Sequence, residues 1–105
     1  MIFISAPYGN APDKEERRKL IAQYSARLMR LGYHVICPMT LGLALSEEAE
    51  LPTDTQWWLD WTLNLLTRCD VVSVLAFPNW KSSVGVAAEI KLAEELGIPI
   101  DFEYI

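Results

Sequence analysis

Apolar and polar positions along this chain follow two different periods. "MIFIS" (1–5) is a short apolar run, and "DVVSVLAF" (70–77) is a longer one, β-branched and apolar on both faces. A run without polar alternation suits a strand covered by helices on both sides, at the centre of a parallel sheet. "YHVIC" (33–37) and "IPIDFEYI" (98–105) read as two further strands. Elsewhere the apolar residues recur every three or four positions. Leu20, Ile21, Tyr24, Leu28 and Leu31 predict a helix from about Lys14 to Leu31, with Asp13 as its N-cap and Gly32 as its stop. A second helix, capped by Thr53 or Asp54 and running to about Arg68, carries Trp57, Trp58, Trp61, Leu65 and Leu66. The last helix covers 83–96 and ends at Gly97. For "LGLALSEEAELPT" (41–53), a short helix and an irregular excursion both stay open.

The order β-α-β-(α)-α-β-α-β predicts an α/β fold. We expect one flavodoxin-like (Rossmann-like) three-layer domain over residues 1–105, with a parallel sheet of about four to five strands and right-handed crossovers. Length and composition agree with a single core: 105 residues, 51% hydrophobic and 22% charged. The net charge of −5 argues against duplex nucleic acid as a partner, because such affinity comes from neutralising phosphates. A small anionic ligand stays open, since helix N-termini hold anions without net positive charge. No apolar run approaches the roughly 20 residues of a membrane span. "MIFISAPYGN" lacks the basic start and long apolar centre of a secretory signal, so a soluble, cytoplasmic protein is expected. Cys37 and Cys69 fit reduced, buried thiols. With one His and no CxxC pair, neither a metal site nor a cofactor is expected.

One residue breaks the pattern. At about 100° per residue, Lys91, Glu94 and Glu95 cluster on the far side of the last helix from Glu89, at roughly 140–240°. Gly85, Val86, Leu92, Ala93 and Leu96 all fall within about 60° of it. Glu89 therefore sits in the middle of the apolar face, where a carboxylate is costly unless something needs it. In doubly wound folds, ligands bind beyond the carboxyl ends of the strands, where the strand order reverses. For the order 2-1-3-4 that crevice lies between the loops "SAPYGN" and "FPNWKSS". The second loop leads straight into the helix of Glu89, so its carboxylate is expected to face a pocket.

The segment Trp80-x-x-Ser83-x-Gly85-x-x-x-Glu89, preceded by Cys69-Asp70-Val-Val-Ser-Val-Leu, resembles the nucleoside 2-deoxyribosyltransferase-like superfamily. "IFISAPY", ending in Tyr8, and "VICPMT", containing Pro38, are similar to that pattern too. The resemblance implies cleavage of the N-glycosidic bond of a (deoxy)nucleoside or (deoxy)nucleoside 5'-monophosphate, by hydrolysis or base transfer. By position, Glu89 would be the nucleophile, Asp70 would assist the leaving base or orient the sugar, and Tyr8 would contact the sugar and the nucleophile. Pro7, Pro38, Met39, Asn79, Trp80, Ser82, Ser83 and Gly85 would bind substrate. Transferases of the superfamily usually carry an aspartate six residues before the nucleophile. Ser83 here is similar instead to the 2'-deoxynucleoside 5'-phosphate N-hydrolases, where a serine at that spacing binds phosphate. The loop "SAPYGNAPD" lacks the glycine- and arginine-rich phosphate loop of those hydrolases.

Plainer readings stand beside these. Glu89 could cross the helix edge to pair with Lys81 or Arg68. Asp70 could simply begin its strand, and Tyr8 could be a packing aromatic. Ser82 and Ser83 are good N-caps whatever else they do. Trp80 could stack on a base or cover the core. Trp57 and Trp61 share one face while Trp58 points elsewhere, which suggests packing or a homo-oligomer interface rather than a ligand box. "KEERRK" (14–19) reads as the solvated face of the first helix, and His34 as structural. Alternatives to this reading are a non-catalytic nucleotide-binding module, an NAD-type glycosidase and, last, a purely structural or interaction protein.

Overall fold

Val71–Ala76, the most continuous apolar run of the chain, forms β3 and lies between two parallel neighbours. The computed structural model describes residues 1–8 and 12–105. Its elements in order are β1 (Ile2–Ser5), α1 (Lys14–Arg30), β2 (Val35–Ile36), α2 (Pro38–Glu48), α3 (Thr55–Leu66), β3, a single 3-10 turn (Trp80–Ser82), α4 (Val84–Leu96) and β4 (Ile100–Tyr104). The strands make one parallel sheet in the order β2-β1-β3-β4, as the alternation of elements predicts. The four-stranded sheet and its helices are those of a single Rossmann-like domain.

Side chains alternate across a strand, so consecutive residues feed two cores. Phe3, Val72 and Val74 pack with Leu66 of α3 and with Val86 and Ala93 of α4. Ile4 and Leu75 pack on the other face with Ile21 of α1 and with Phe77. Each such side chain, fully withdrawn from water, contributes about 1.5–3 kcal/mol. Two serines sit among them. Ser5 lies on the α3/α4 face and Ser73 on the α1 face, where its hydroxyl meets the Tyr24 hydroxyl at 3.3 Å.

The helix ends differ from expectation in informative ways. Asp13 holds the N-cap position of α1 but makes no capping bond; its carboxylate faces Arg17 at 2.9 Å instead. Asp54 precedes α3 without a side-chain cap. Ser83 does cap α4, accepting from the Val86 N–H at 3.3 Å, and Gly97 closes that helix at φ 70. The open question at 41–53 resolves into a helix that starts earlier, at Pro38. Proline suits the first helical position because its missing N–H has no partner there in any case. The strand before it is accordingly short, Val35–Ile36, and His34 stands exposed ahead of it with its carbonyl accepting from Ile2 N–H at 2.8 Å. Among the described residues Asn79 is the one non-glycine with positive φ, at 69°, a conformation that asparagine tolerates better than most. It turns the chain from β3 toward the 3-10 turn. Gly9 and Asn10 of the first loop, which the sequence reading includes in the crevice, lie outside the described residues.

Candidate functional site

The register pairs Ser5 with Val74, so β1 and β3 release their loops at the same edge of the sheet. Between those loops lies a cleft of about 870 Å³, within the usual range for small-molecule sites. Pro7 and Tyr8 of the first loop line it, together with Lys14 and Arg17 from the start of α1. Pro38, Met39 and Gly42 of α2 and Trp58, Trp61 and Thr62 of α3 form one wall. Asn79, Ser82 and Ser83 with Gly85 and Glu89 of α4 complete it.

Glu89 is 8% exposed, in the buried stripe that also holds Val86 and Ala93. Its partner is no cation: Ser5 Oγ donates to Glu89 Oε1 at 2.6 Å. Among the described residues the carboxylate makes no salt bridge, so the pairing with Lys81 or Arg68 does not form. Burial pushes the carboxyl up to about 7, against the weaker downward pull of the Ser5 and Thr62 hydroxyls. Thr62 itself donates to the Leu59 carbonyl at 3.3 Å. A carboxyl that titrates near neutrality inside a cleft is a candidate for acid, base or nucleophile work.

Arg17 corrects the reading of "KEERRK" as solvated. It is 5% exposed, one turn before Ile21 on the buried stripe of α1. Its Nη1 donates to the Pro7 carbonyl at 3.3 Å and its Nη2 to the Pro78 carbonyl at 3.0 Å. One guanidinium therefore ties together the two loops that flank the cleft. The Nε faces Asp13 at 2.9 Å without hydrogen-bond alignment, a charge contact rather than a bond. The Phe77 ring lies beneath the guanidinium at 5.0 Å. Sequence reasoning missed this residue, although the spacing from Arg17 to Ile21, Tyr24 and Leu28 was the available signal.

The tryptophans also fall differently. Trp58 and Trp61 both face the cleft and both approach Gly42, while Trp57 meets Trp58 edge-on at 5.0 Å and is exposed. Trp58 Nε1 donates to the Pro52 carbonyl at 2.8 Å, which fixes the ring in its plane. The ring passes so close to α2 that a Cβ at position 42 would lie 2.9 Å from it. The aromatic wall thus belongs to the cleft, and of the three only Trp57 fits the expected outward patch.

Of the residues singled out in the sequence, Glu89, Tyr8, Pro7, Pro38, Met39, Asn79, Ser82, Ser83 and Gly85 come together at the cleft. Two do not. Asp70 precedes β3, at the amino end of a strand whose carboxyl end makes the site. Its side chain is 85% exposed and pairs with the Met1 amino group at 2.6 Å. At about 3.3 Å per residue, the four residues between its level and that of Ser5 amount to roughly 13 Å. The structure thus contradicts its expected role beside the leaving base. Trp80 packs on the core beside α4 and against Phe102, ring centres 5.3 Å apart, outside the cleft lining.

Among solved structures the chain is similar to a 2-desoxiribosyltransferase from Leishmania mexicana, with a TM-score of 0.67 and 17% sequence identity. The match covers 98% of this chain and 63% of that one, so the chain spans under two thirds of the length of the protein it matches. At that identity the likeness is one of fold. No curated protein matches the sequence. A family model described as "Domain of unknown function (DUF1937)" matches residues 1–104. With nearly its whole length matched, the chain belongs to the DUF1937 family.

Proposed function

We propose that this protein cleaves the N-glycosidic bond of a (deoxy)nucleoside or its 5'-monophosphate, with Glu89 as the nucleophile. The observation that carries the reading is a nearly buried carboxylate, free of any cationic partner among the described residues, at the wall of a nucleotide-sized cleft. Similarity of fold to a deoxyribosyltransferase supports the same class of chemistry. In this reading the ionised carboxylate attacks the anomeric carbon and the C1'–N bond breaks, giving a glycosyl-enzyme intermediate. Water then releases the sugar, or a second base accepts it.

Glu89 is the one carboxylate among the described residues that line the cleft, and Gly9, Asn10 and Ala11 bring no ionisable side chain. The departing base then takes its proton from water at the open mouth or from Tyr8 or Lys14, which line the same cleft, and bases that leave readily are favoured. A 5'-phosphate would meet Ser82, Ser83 and the first-turn N–H groups of α4, where the helix dipole favours an anion. Absence of the 2'-hydroxyl makes the glycosidic bond more labile, so deoxy substrates are preferred. The missing second carboxylate also favours a second reading, a nucleotide-binding module without turnover.

Free base is followed by chromatography after incubation with deoxynucleosides, their monophosphates and NAD, with and without an acceptor base. Release from monophosphates alone identifies a nucleotide hydrolase, and exchange between bases identifies a transferase. Nicotinamide release identifies an NAD-type glycosidase. Binding of a nucleotide without release, or full activity in Glu89→Ala, refutes the mechanism.

A further inference from the structure

Ser5 is the last residue of β1, 1% exposed, on the strand face turned toward α4. A hydroxyl in that position has to find a partner, and the one it finds is Glu89 Oε1 at 2.6 Å. Resemblance assigns the contact with the carboxylate to Tyr8. Tyr8 lines the same cleft, but the hydrogen bond comes from the strand rather than from the loop. A strand end braced by β3 holds a side chain more rigidly than a loop does. Among the described residues the aligned donor to Glu89 is Ser5, on Oε1. Glu89 itself lines the cleft.

We propose that Ser5 is the positioning residue of the site: its hydroxyl anchors one oxygen of Glu89 and thereby turns the other toward the ligand's reacting carbon. The role in turnover rests on the N-glycosidase reading; the effect on Glu89 itself does not. A hydroxyl that donates to a carboxylate also favours its charged form, which burial opposes. The groups facing Glu89 are few. α3 offers Thr62, α2 presents no ionisable side chain to the cleft, and β3 adds none. Tyr8, Lys14 and Arg17 share the cleft, with Arg17 engaged on the Pro7 and Pro78 carbonyls. Lys91, Glu94 and Glu95 of α4 itself are exposed, on the opposite side of the helix. Among the described residues the Ser5 hydroxyl is therefore the strongest pull toward the charged form of Glu89.

The test is a titration that needs no substrate. Side-chain carboxyl carbons of glutamate are labelled with ¹³C, and the Glu89 signal is assigned by its loss in Glu89→Gln. Its midpoint is then followed in the wild type, Ser5→Ala, Ser5→Thr and Ser5→Cys. The midpoint is expected near neutrality in the wild type and higher by about one pH unit in Ser5→Ala. Ser5→Thr, which keeps the hydroxyl on a β-branched residue suited to a strand, should stay near the wild type. Ser5→Cys, a weaker donor, should fall between, and it serves if the alanine variant fails to fold. Equal midpoints in all variants, or a Ser5→Thr shift as large as that of Ser5→Ala, would overturn the proposal. Where base release is observed, its pH profile should move with the midpoint, lowering kcat at neutral pH about fivefold with KM little changed. A shifted titration in a protein that releases no base would sink the enzymatic reading alone and leave Ser5 as the group that sets the charge of Glu89.

Discussion

Gly42→Ala sets two effects of similar size against each other. Gly42 lies inside α2, where alanine is the better helix former by about 1 kcal/mol. On helix propensity alone the substitution stabilises the protein. The added methyl, however, would stand 2.9 Å from Trp58 Cζ3, 3.4 Å from Trp58 Cη2 and 3.5 Å from Trp61 Cζ3. Ordinary carbon contacts are about 3.5–4.0 Å, so the Trp58 ring must move. It has little room to do so. Its Nε1 is bonded to the Pro52 carbonyl, and Trp57 and Trp61 stand edge-on at 5.0 and 5.7 Å. Overpacking of this kind costs about 1–3 kcal/mol, which leaves a net loss of roughly 0–2 kcal/mol. A double-mutant cycle separates the terms. In a Trp58→Leu background the clash is gone, and the same glycine substitution should stabilise by up to about 1 kcal/mol. Urea denaturation followed by far-ultraviolet circular dichroism on the four proteins gives the coupling, expected at about 1–3 kcal/mol. If Gly42→Ala stabilises both backgrounds equally, Gly42 is not there to admit the indole.

Other perturbations probe the rest of the site. The Glu89 carboxyl rises from an ordinary value near 4.5 to about 7 on folding, so the folded protein binds the extra proton. Its contribution is fully present below about pH 4.5 and is lost as pH rises through 7, on the order of 3 kcal/mol in all. Glu89→Gln should flatten the decline in denaturant midpoint between about pH 5 and 8 and be the more stable protein at the alkaline end; an unchanged slope would refute it. Arg17→Lys keeps the charge but cannot reach both loop carbonyls with one fork, and should cost about 1–3 kcal/mol in the same assay. Asp70→Asn should change stability by less than about 0.5 kcal/mol and leave any base release intact, because its carboxylate is exposed and far from the cleft.

The legible parts of this molecule were those written in short-range pattern. The Val71–Ala76 run named the inner strand, and the alternation of elements named a sheet order that the structure shares. Angles around one helix located Glu89 on its buried side. What failed was whatever depends on a distant neighbour. Nothing within α3 says that Gly42, on another helix, leaves a gap that Trp58 fills, so helical spacing alone assigned Trp58 to the wrong side. Arg17 looked like one of several surface cations because its partners, the Pro7 and Pro78 carbonyls, are brought to it by tertiary structure. Ser5 passed as one residue of an apolar strand, since its value comes from a helix 84 positions away. Asp70 was a different error. A residue at the head of a parallel strand belongs to the edge opposite the ligand crevice, and topology weighed against motif position would have removed it.

The separation between Ser5 and Glu89 bears on how the molecule reaches its working form. β1 is an inner strand, made before either of its neighbours. It pairs on one side with Val35–Ile36, but its other neighbour, from Val71 on, is made only after α1, β2, α2 and α3. Every contact across that gap carries the entropy of closing a long loop, which slows assembly. A nascent or truncated chain ending before α4 would hold an edge but no acidic group to bind there. The proton affinity of Glu89 therefore doubles as a gauge of assembly, rising only when α4 has docked on β1.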